Sequence, residues 1–122
     1  MMFSSKKKAL ITATLLMSTN SVVNAVGLEF VFFPSIPTRI ENPLYRTMDA
    51  KCTIETQDAQ NELVGVMKIK TASINNVHLN PGENVSILVK NGDIMHIIAD
   101  FGSRIEMTNN GEGVVRAVCS IG

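Results

Sequence analysis

The chain has 122 residues, room for one domain, and its formal charges balance to zero. Trp is absent and aromatic residues make up only 5% of the chain, which argues against a stacking platform for bases or sugars. No basic run follows residue 25, so nucleic acid and anionic membranes are poor partners on overall charge.

Residues 1–25 read as a cleavable secretory leader. Lys6, Lys7 and Lys8 form a positive start, Ala9 to Met17 an apolar stretch, and Val23-Asn24-Ala25 places small residues before a cut at Val26. As a helix the apolar stretch rises only about 14 Å, too short for a bilayer core that needs ~20 residues. All eleven acidic residues but only eight of the eleven basic ones lie beyond residue 25, giving the mature part a formal charge of −3.

Both cysteines, Cys52 and Cys119, fall in the mature part. In an exported chain a lone pair reads as one disulfide. A loop this long is worth roughly 4 kcal/mol by the chain-entropy model. The wide spacing is unlike the CxxC of redox proteins.

In chain order, Leu28 to Phe33 is a β-rich run ended by Pro34. Pro34, Pro37 and Pro43 punctuate an extended connection. Asp49 to Thr56 alternates, with Ala50, Cys52 and Ile54 on one face and Lys51, Thr53 and Glu55 on the other. After a polar turn over Gln57 to Glu62 comes Leu63 to Ala72. Ile74 to Leu79 is broken by Asn75-Asn76 and reads as a short edge strand or a loop. Val85 to Lys90, Ile94 to Phe101, Arg104 to Thr108 and Val114 to Ile121 follow. They are separated by Asn91-Gly92, Gly102-Ser103 and Asn109-Asn110-Gly111, residues that tight hairpins require, so a meander of antiparallel strands is expected.

About seven short strands with regular turns predict an all-β sandwich, with Cys52 and Cys119 bridging its two sheets. The arrangement resembles an immunoglobulin-like fold. It departs from true immunoglobulin domains in lacking the Trp that packs on the disulfide and in having Ala117 two residues before Cys119. The expected organisation is a leader (1–25), an N-terminal strand with a proline-containing linker (26–48), and a disulfide-closed core (49–122).

The Asn91-Gly92 hairpin has two registers. With a bulge at Gly92, Val85, Ile87 and Val89 share a buried face with Met95, Ile97 and Ala99, leaving Leu88, Ile94 and Ile98 outside beside His96 and Asp100. The two-residue loop leaves more apolar area wet, so burial favours the bulge. Leu88, Ile94 and Ile98 then form a candidate protein-contact patch. Phe30, Phe32 and Phe33, on an apolar strand with one charge, Glu29, form a second candidate, suited to strand addition.

Catalytic signatures are missing from the sequence. His78 and His96 stand in no HExxH or paired-His spacing, Gly102-Ser103 is a turn rather than a nucleophile elbow, and no phosphate loop occurs. No cofactor is expected, and a metal site from His78, His96, Asp93 and Asp100 has little support. Asn84-Val85-Ser86 is a glycosylation sequon, relevant only in a eukaryotic host.

In length, leader, cysteine pair and strand content the chain resembles small periplasmic sandwich proteins of secretion-system and fimbrial assemblies. Its disulfide loop is longer than that of pilus subunits. The expectation is a non-enzymatic exported subunit or accessory factor of a bacterial envelope assembly, with protein partners and no membrane span in the mature part. One alternative is a soluble secreted ligand or inhibitor using the loops Gln57 to Glu62 and Asn109 to Gly113. Another is an enzyme using His96 with Asp93 or Asp100.

Overall fold

The computed structural model describes residues 26–122, and the expected leader lies outside the described residues. The described chain forms ten strands: β1 (Val26–Phe32), β2 (Thr38–Glu41), β3 (Met48–Thr56), β4 (Asn61–Ile69), β5 (Ala72–Ile74), β6 (Val77–Leu79), β7 (Asn84–Val89), β8 (Ile94–Ala99), β9 (Arg104–Asn109) and β10 (Val115–Ile121). Alternation sets their inward rows. In β3, β4, β9 and β10 every second residue is buried, as a strand with one face on a core requires.

Six strands form one sheet in the order β1-β10-β3-β8-β5-β6, and four form another in the order β2-β9-β4-β7. All strand pairings are antiparallel. The inward rows of both sheets meet in one core that includes Phe32, Ile40, Ile54, Met67, Ile97 and Met107. The fold is thus all-β and sandwich-like. Four of the buried side chains are methionines, Met48, Met67, Met95 and Met107, flexible fillers in a core with little aromatic volume. Burying one such side chain contributes roughly 1.5–3 kcal/mol, against about 0–1 kcal/mol for an exposed ion pair, so the inward rows dominate cohesion.

The order of winding corrects the expected meander. Pairs nest, β5 with β6, β4 with β7, β3 with β8, β2 with β9 and β1 with β10, and each successive pair lies in the other sheet. This is the connectivity of a jelly roll, a ribbon of antiparallel pairs rolled on itself. It differs from the immunoglobulin order ABED and CFG, in which several consecutive strands are sheet neighbours. Among the described strands only β5 and β6 are consecutive and paired.

Turn geometry gives the reason. Lys90–Asp93 closes with Asp93 N donating to Lys90 O, and among its residues only Gly92 has positive φ, 91°. That is the type II pattern, which does not carry the strand twist of a two-residue hairpin. The turn instead docks on β3, Gly92 N donating to Ile54 O and Asp93 O accepting from Ile54 N. Asn80–Glu83 and Asp100–Ser103 repeat the pattern, with Gly82 and Gly102 at positive φ. Both cross between sheets. Among the described residues the one true hairpin lies at Asn75-Asn76, both at positive φ (49° and 68°), as a type I′ turn demands.

Neither register of an Asn91-Gly92 hairpin therefore exists, because β7 pairs β4 and β8 pairs β3. The face assignment of the bulged alternative nevertheless holds: Val89, Met95, Ile97 and Ala99 are buried and Val85 and Ile87 pack against the core. They meet across the two layers instead of side by side.

The disulfide is also corrected. Cys52 on β3 and Cys119 on β10 stand directly opposite on neighbouring strands of one sheet, Cα atoms 3.8 Å apart, so the bond ties strand to strand and not sheet to sheet. The cause is β10, which enters between β1 and β3. Strand β2, within the stretch expected as a linker, pairs β9 over Thr38–Glu41.

Replacing both cysteines by Ala should lower unfolding free energy by about 2–4 kcal/mol. Denaturant midpoints of parent and double variant read this directly. Ser103 Oγ is buried without a hydrogen-bond partner. Ser103→Ala should accordingly leave the unfolding free energy unchanged or raise it by up to about 1 kcal/mol, whereas a fall would mean that the hydroxyl is satisfied.

Candidate functional site

Strand direction sorts the loops onto two ends. At one end lie the β1–β2, β3–β4, β7–β8 and β9–β10 connections, and at the other the β2–β3, β4–β5, β6–β7 and β8–β9 connections. The loops named above as recognition candidates meet at the first end, where they are clamped to each other. Buried Asn61 donates to Asn109 Oδ1 (3.2 Å), and Asn109 Nδ2 donates to Phe32 O (3.0 Å) and Gly113 O (2.7 Å). Gly113 N donates to Asp58 Oδ2 at 2.9 Å. The clamp leaves no room at Gly111, where an added Cβ would fall 2.0 Å from Asn61 Nδ2. Hydrogen bonds from Ser86 and Asn110 hold the Glu62 carboxyl below its usual range.

A wide, shallow concavity of about 500 Å³ opens at this end, lined by Glu55, Thr56, Gln57, Asn91, Val114 and Arg116. Arg116 is engaged by Glu29 and Glu55, and the hydrogen bond it donates to Glu29 raises its pKa further. Its charge is already neutralised.

The second end carries aromatic rings. Asn42, 6% exposed, donates to Arg46 O (2.8 Å), Ala99 O (3.0 Å) and Asp100 O (3.0 Å), and its Oδ1 accepts from Leu44 N (2.8 Å). One amide thereby pins the β2–β3 loop to the β8–β9 turn. Lys70, in the left-handed region at φ 60°, donates to Phe101 O at 2.9 Å and lies over the Phe101 ring at 4.9 Å, which ties in the β4–β5 connection. On this frame Tyr45 is 92% exposed and its ring contacts that of Phe101, itself 46% exposed, at 5.6 Å between centroids. Ile69, 41% exposed, sits at the same end.

The partner residues expected from sequence separate. Phe32 is wholly buried in the core and offers no surface. Phe30 is half-buried, stacked on Phe32 at 6.3 Å, and Phe33 is half-exposed beyond the end of β1. Leu88, 63% exposed, lies on the outer face of the four-stranded sheet, while Ile94 and Ile98 lie on the outer face of the six-stranded sheet. The single patch envisaged for Leu88 and Ile98 is therefore split between opposite faces, because β7 and β8 are not neighbours. Tyr45, Phe101 and Asn42 were not singled out from the sequence. The available signal was the chain's only tyrosine, set between Pro43 and Met48 in a loop.

His96 meets neither Asp93 nor Asp100. Its Nε2 lies 2.6 Å from Asp49 Oδ1, on the outer face of the six-stranded sheet, while Asp93 caps Lys90 N and Asp100 bonds Thr71. Among the described residues no group of three His, Cys, Asp or Glu side chains could hold a metal, and no helix is long and apolar enough to cross a membrane. No protein-family model and no curated protein sequence matches the chain.

Two measurements follow. Asn42→Ala strips three carbonyls of their donor and should cost about 1–3 kcal/mol in urea titration. The hydrogen bond from His96, with attraction from Lys51, holds Asp49 below its ordinary 3.8. A depressed carboxyl adds stability above that value and loses it as pH falls through the folded-state pKa. Asp49→Asn should thus unfold more easily than the parent near about pH 6 and match it near about pH 2. The margin should be small, since the Asp49 side chain is 48% exposed.

Proposed function

We propose that the protein is a non-enzymatic, exported binding or structural subunit of a bacterial envelope assembly, such as a secretion system, that joins its partner by strand addition at β1. One observation carries this reading. Among the described residues, β1 is a seven-residue edge strand with a sheet neighbour, β10, on one side only. Its inward-pointing Leu28 and Phe30 are only half-covered, so an unpaired backbone edge adjoins an open apolar ledge.

An added strand draws affinity from main-chain hydrogen bonds and selectivity from alternate side chains, and β1 offers both kinds of contact. The partner implied is a protein segment in extended conformation with apolar residues at every second position. The free edge carries one charge, Glu29, and Arg116 engages it. Near the β1–β2 corner two side chains bond the β1 backbone, Thr38 Oγ donating to Val31 O at 3.4 Å and Asn109 Nδ2 to Phe32 O at 3.0 Å. Export rests on the leader pattern, together with a disulfide suited to an oxidising compartment.

Lysine on an edge strand opposes further pairing. The protein isolated from its cells under mild detergent should bring defined proteins with it, and Val31→Lys should lose them while keeping the parental melting curve. Unchanged partners in a folded Val31→Lys variant would sink the strand-addition reading. The isolated chain should also begin at Val26 by intact mass. A chain still carrying residues 1–25, or one found in the cytoplasm, would overturn export.

A further inference from the structure

We infer that the strand added at β1 is β7 of a second copy of this chain, so that copies join head to tail. The inference rests on strand addition at β1 and names the partner for it.

Each sheet ends in two edge strands, and among the described residues the four edges are defended unequally. β2 has four residues, carries Arg39 and Glu41, and lies between Pro37 and Pro43. β6 has only three residues, with Pro81 two positions beyond it. Short, charged or proline-flanked edges resist further pairing. β1 and β7 lack these devices. They run for seven and six residues, their ladders to β10 and β4 have no bulge, β7 contains neither charge nor proline, and β1 has the single charge Glu29.

The same two edges are apolar on their inner side. Five half-covered apolar side chains pack against the core among the described residues, and four of them lie here: Leu28 and Phe30 on β1, Val85 and Ile87 on β7. Each edge therefore closes its sheet with a ledge of two residues at alternate positions. An antiparallel pair that sets Leu28 against Ile87 and Phe30 against Val85 of the next copy places both ledges on one face, where each covers the other.

Charge and position favour β7 over a second β1. The β1–β1 alignment that brings both ledge residues together puts Glu29 opposite Glu29, and like charges directly opposite are destabilising. Against β7, Glu29 meets Ser86, while Gly27 and Val31 meet Leu88 and Asn84, none of them charged. β1 packs beside β2 and β9, at the far end of the four-stranded sheet from β7. The two edges thus lie on opposite flanks of one molecule. A contact between unlike flanks leaves one of each free in every pair, so it repeats as a filament or closes as a ring. Each junction joins the six-stranded sheet of one copy to the four-stranded sheet of the next.

Sedimentation velocity of the purified protein over a concentration series tests this. The parent should form species beyond the dimer. Val31→Lys blocks the β1 edge and Leu88→Lys, at a 63% exposed outer position, blocks the β7 edge. Each should be monomeric with the parental melting curve, while an equimolar mixture of the two should form dimers and nothing larger, since one free edge of each kind remains. Tyr45→Lys, which adds the same charge to a loop, should assemble as the parent does. The inference is overturned if the parent stays monomeric, if Leu88→Lys alone still associates through β1, or if Val31→Lys alone associates through β7. A monomeric parent whose co-purifying proteins are nevertheless lost on Val31→Lys would leave strand addition standing with a different partner. Co-purifying proteins retained by Val31→Lys would remove strand addition itself.

Discussion

Strand β10 lies between β1 and β3, and the six-stranded sheet is continuous only through it. Its inward row, Val115, Ala117, Cys119 and Ile121, is buried throughout and faces the inward rows of both neighbours. The covalent bond falls at the Cys119–Cys52 step of that ladder. On the outer face, Arg116 reaches Glu29 on one side and Glu55 on the other. The three strands are thus joined by backbone ladders, a shared apolar row and one guanidinium spanning both seams. Of these, the buried row and the ladders carry the weight, because exposed ion pairs contribute little.

That arrangement decides where surfaces for other molecules are left. Since β10 takes the inner position, β1 is displaced to the rim, where its second backbone edge has no strand among the described residues. The four-stranded sheet is narrower than the six-stranded one, and the inward Leu28 and Phe30 of β1 are correspondingly only half-covered. The loops, meanwhile, fall into two groups of different chemistry. One end is closed by an asparagine pair; the other is organised by a single buried asparagine and displays the Tyr45 and Phe101 rings.

Period-two alternation revealed the strands and their inward faces, because half-burial imposes that period whichever neighbour a strand has. The inward sets of β3, β8 and β10 were readable for this reason. Strand pairing was not. Asn91-Gly92 suits a hairpin and an inter-sheet turn alike, since both need a residue at positive φ, and what separates them is the conformation of Asn91. The cysteines showed that two strands come together, but not whether they do so within a layer or between layers. β2 escaped notice because its four residues lie between Pro37 and Pro43. The aromatic pair was hidden for another reason: Tyr45 and Phe101 are far apart in the chain, and only the folding of two connections, β2–β3 and β8–β9, onto one end brings them into contact.

The nested pairing has a bearing on how the chain acquires its shape. The sequence distance between paired strands grows steadily from the turn at Asn75-Asn76 outward to β1 and β10. Closing a small loop costs less entropy than closing a large one, and each pair formed shortens the effective loop of the next. The connectivity therefore permits assembly from the middle of the chain toward both ends. Its last seam must await the synthesis of β10, leaving the nascent chain open until then.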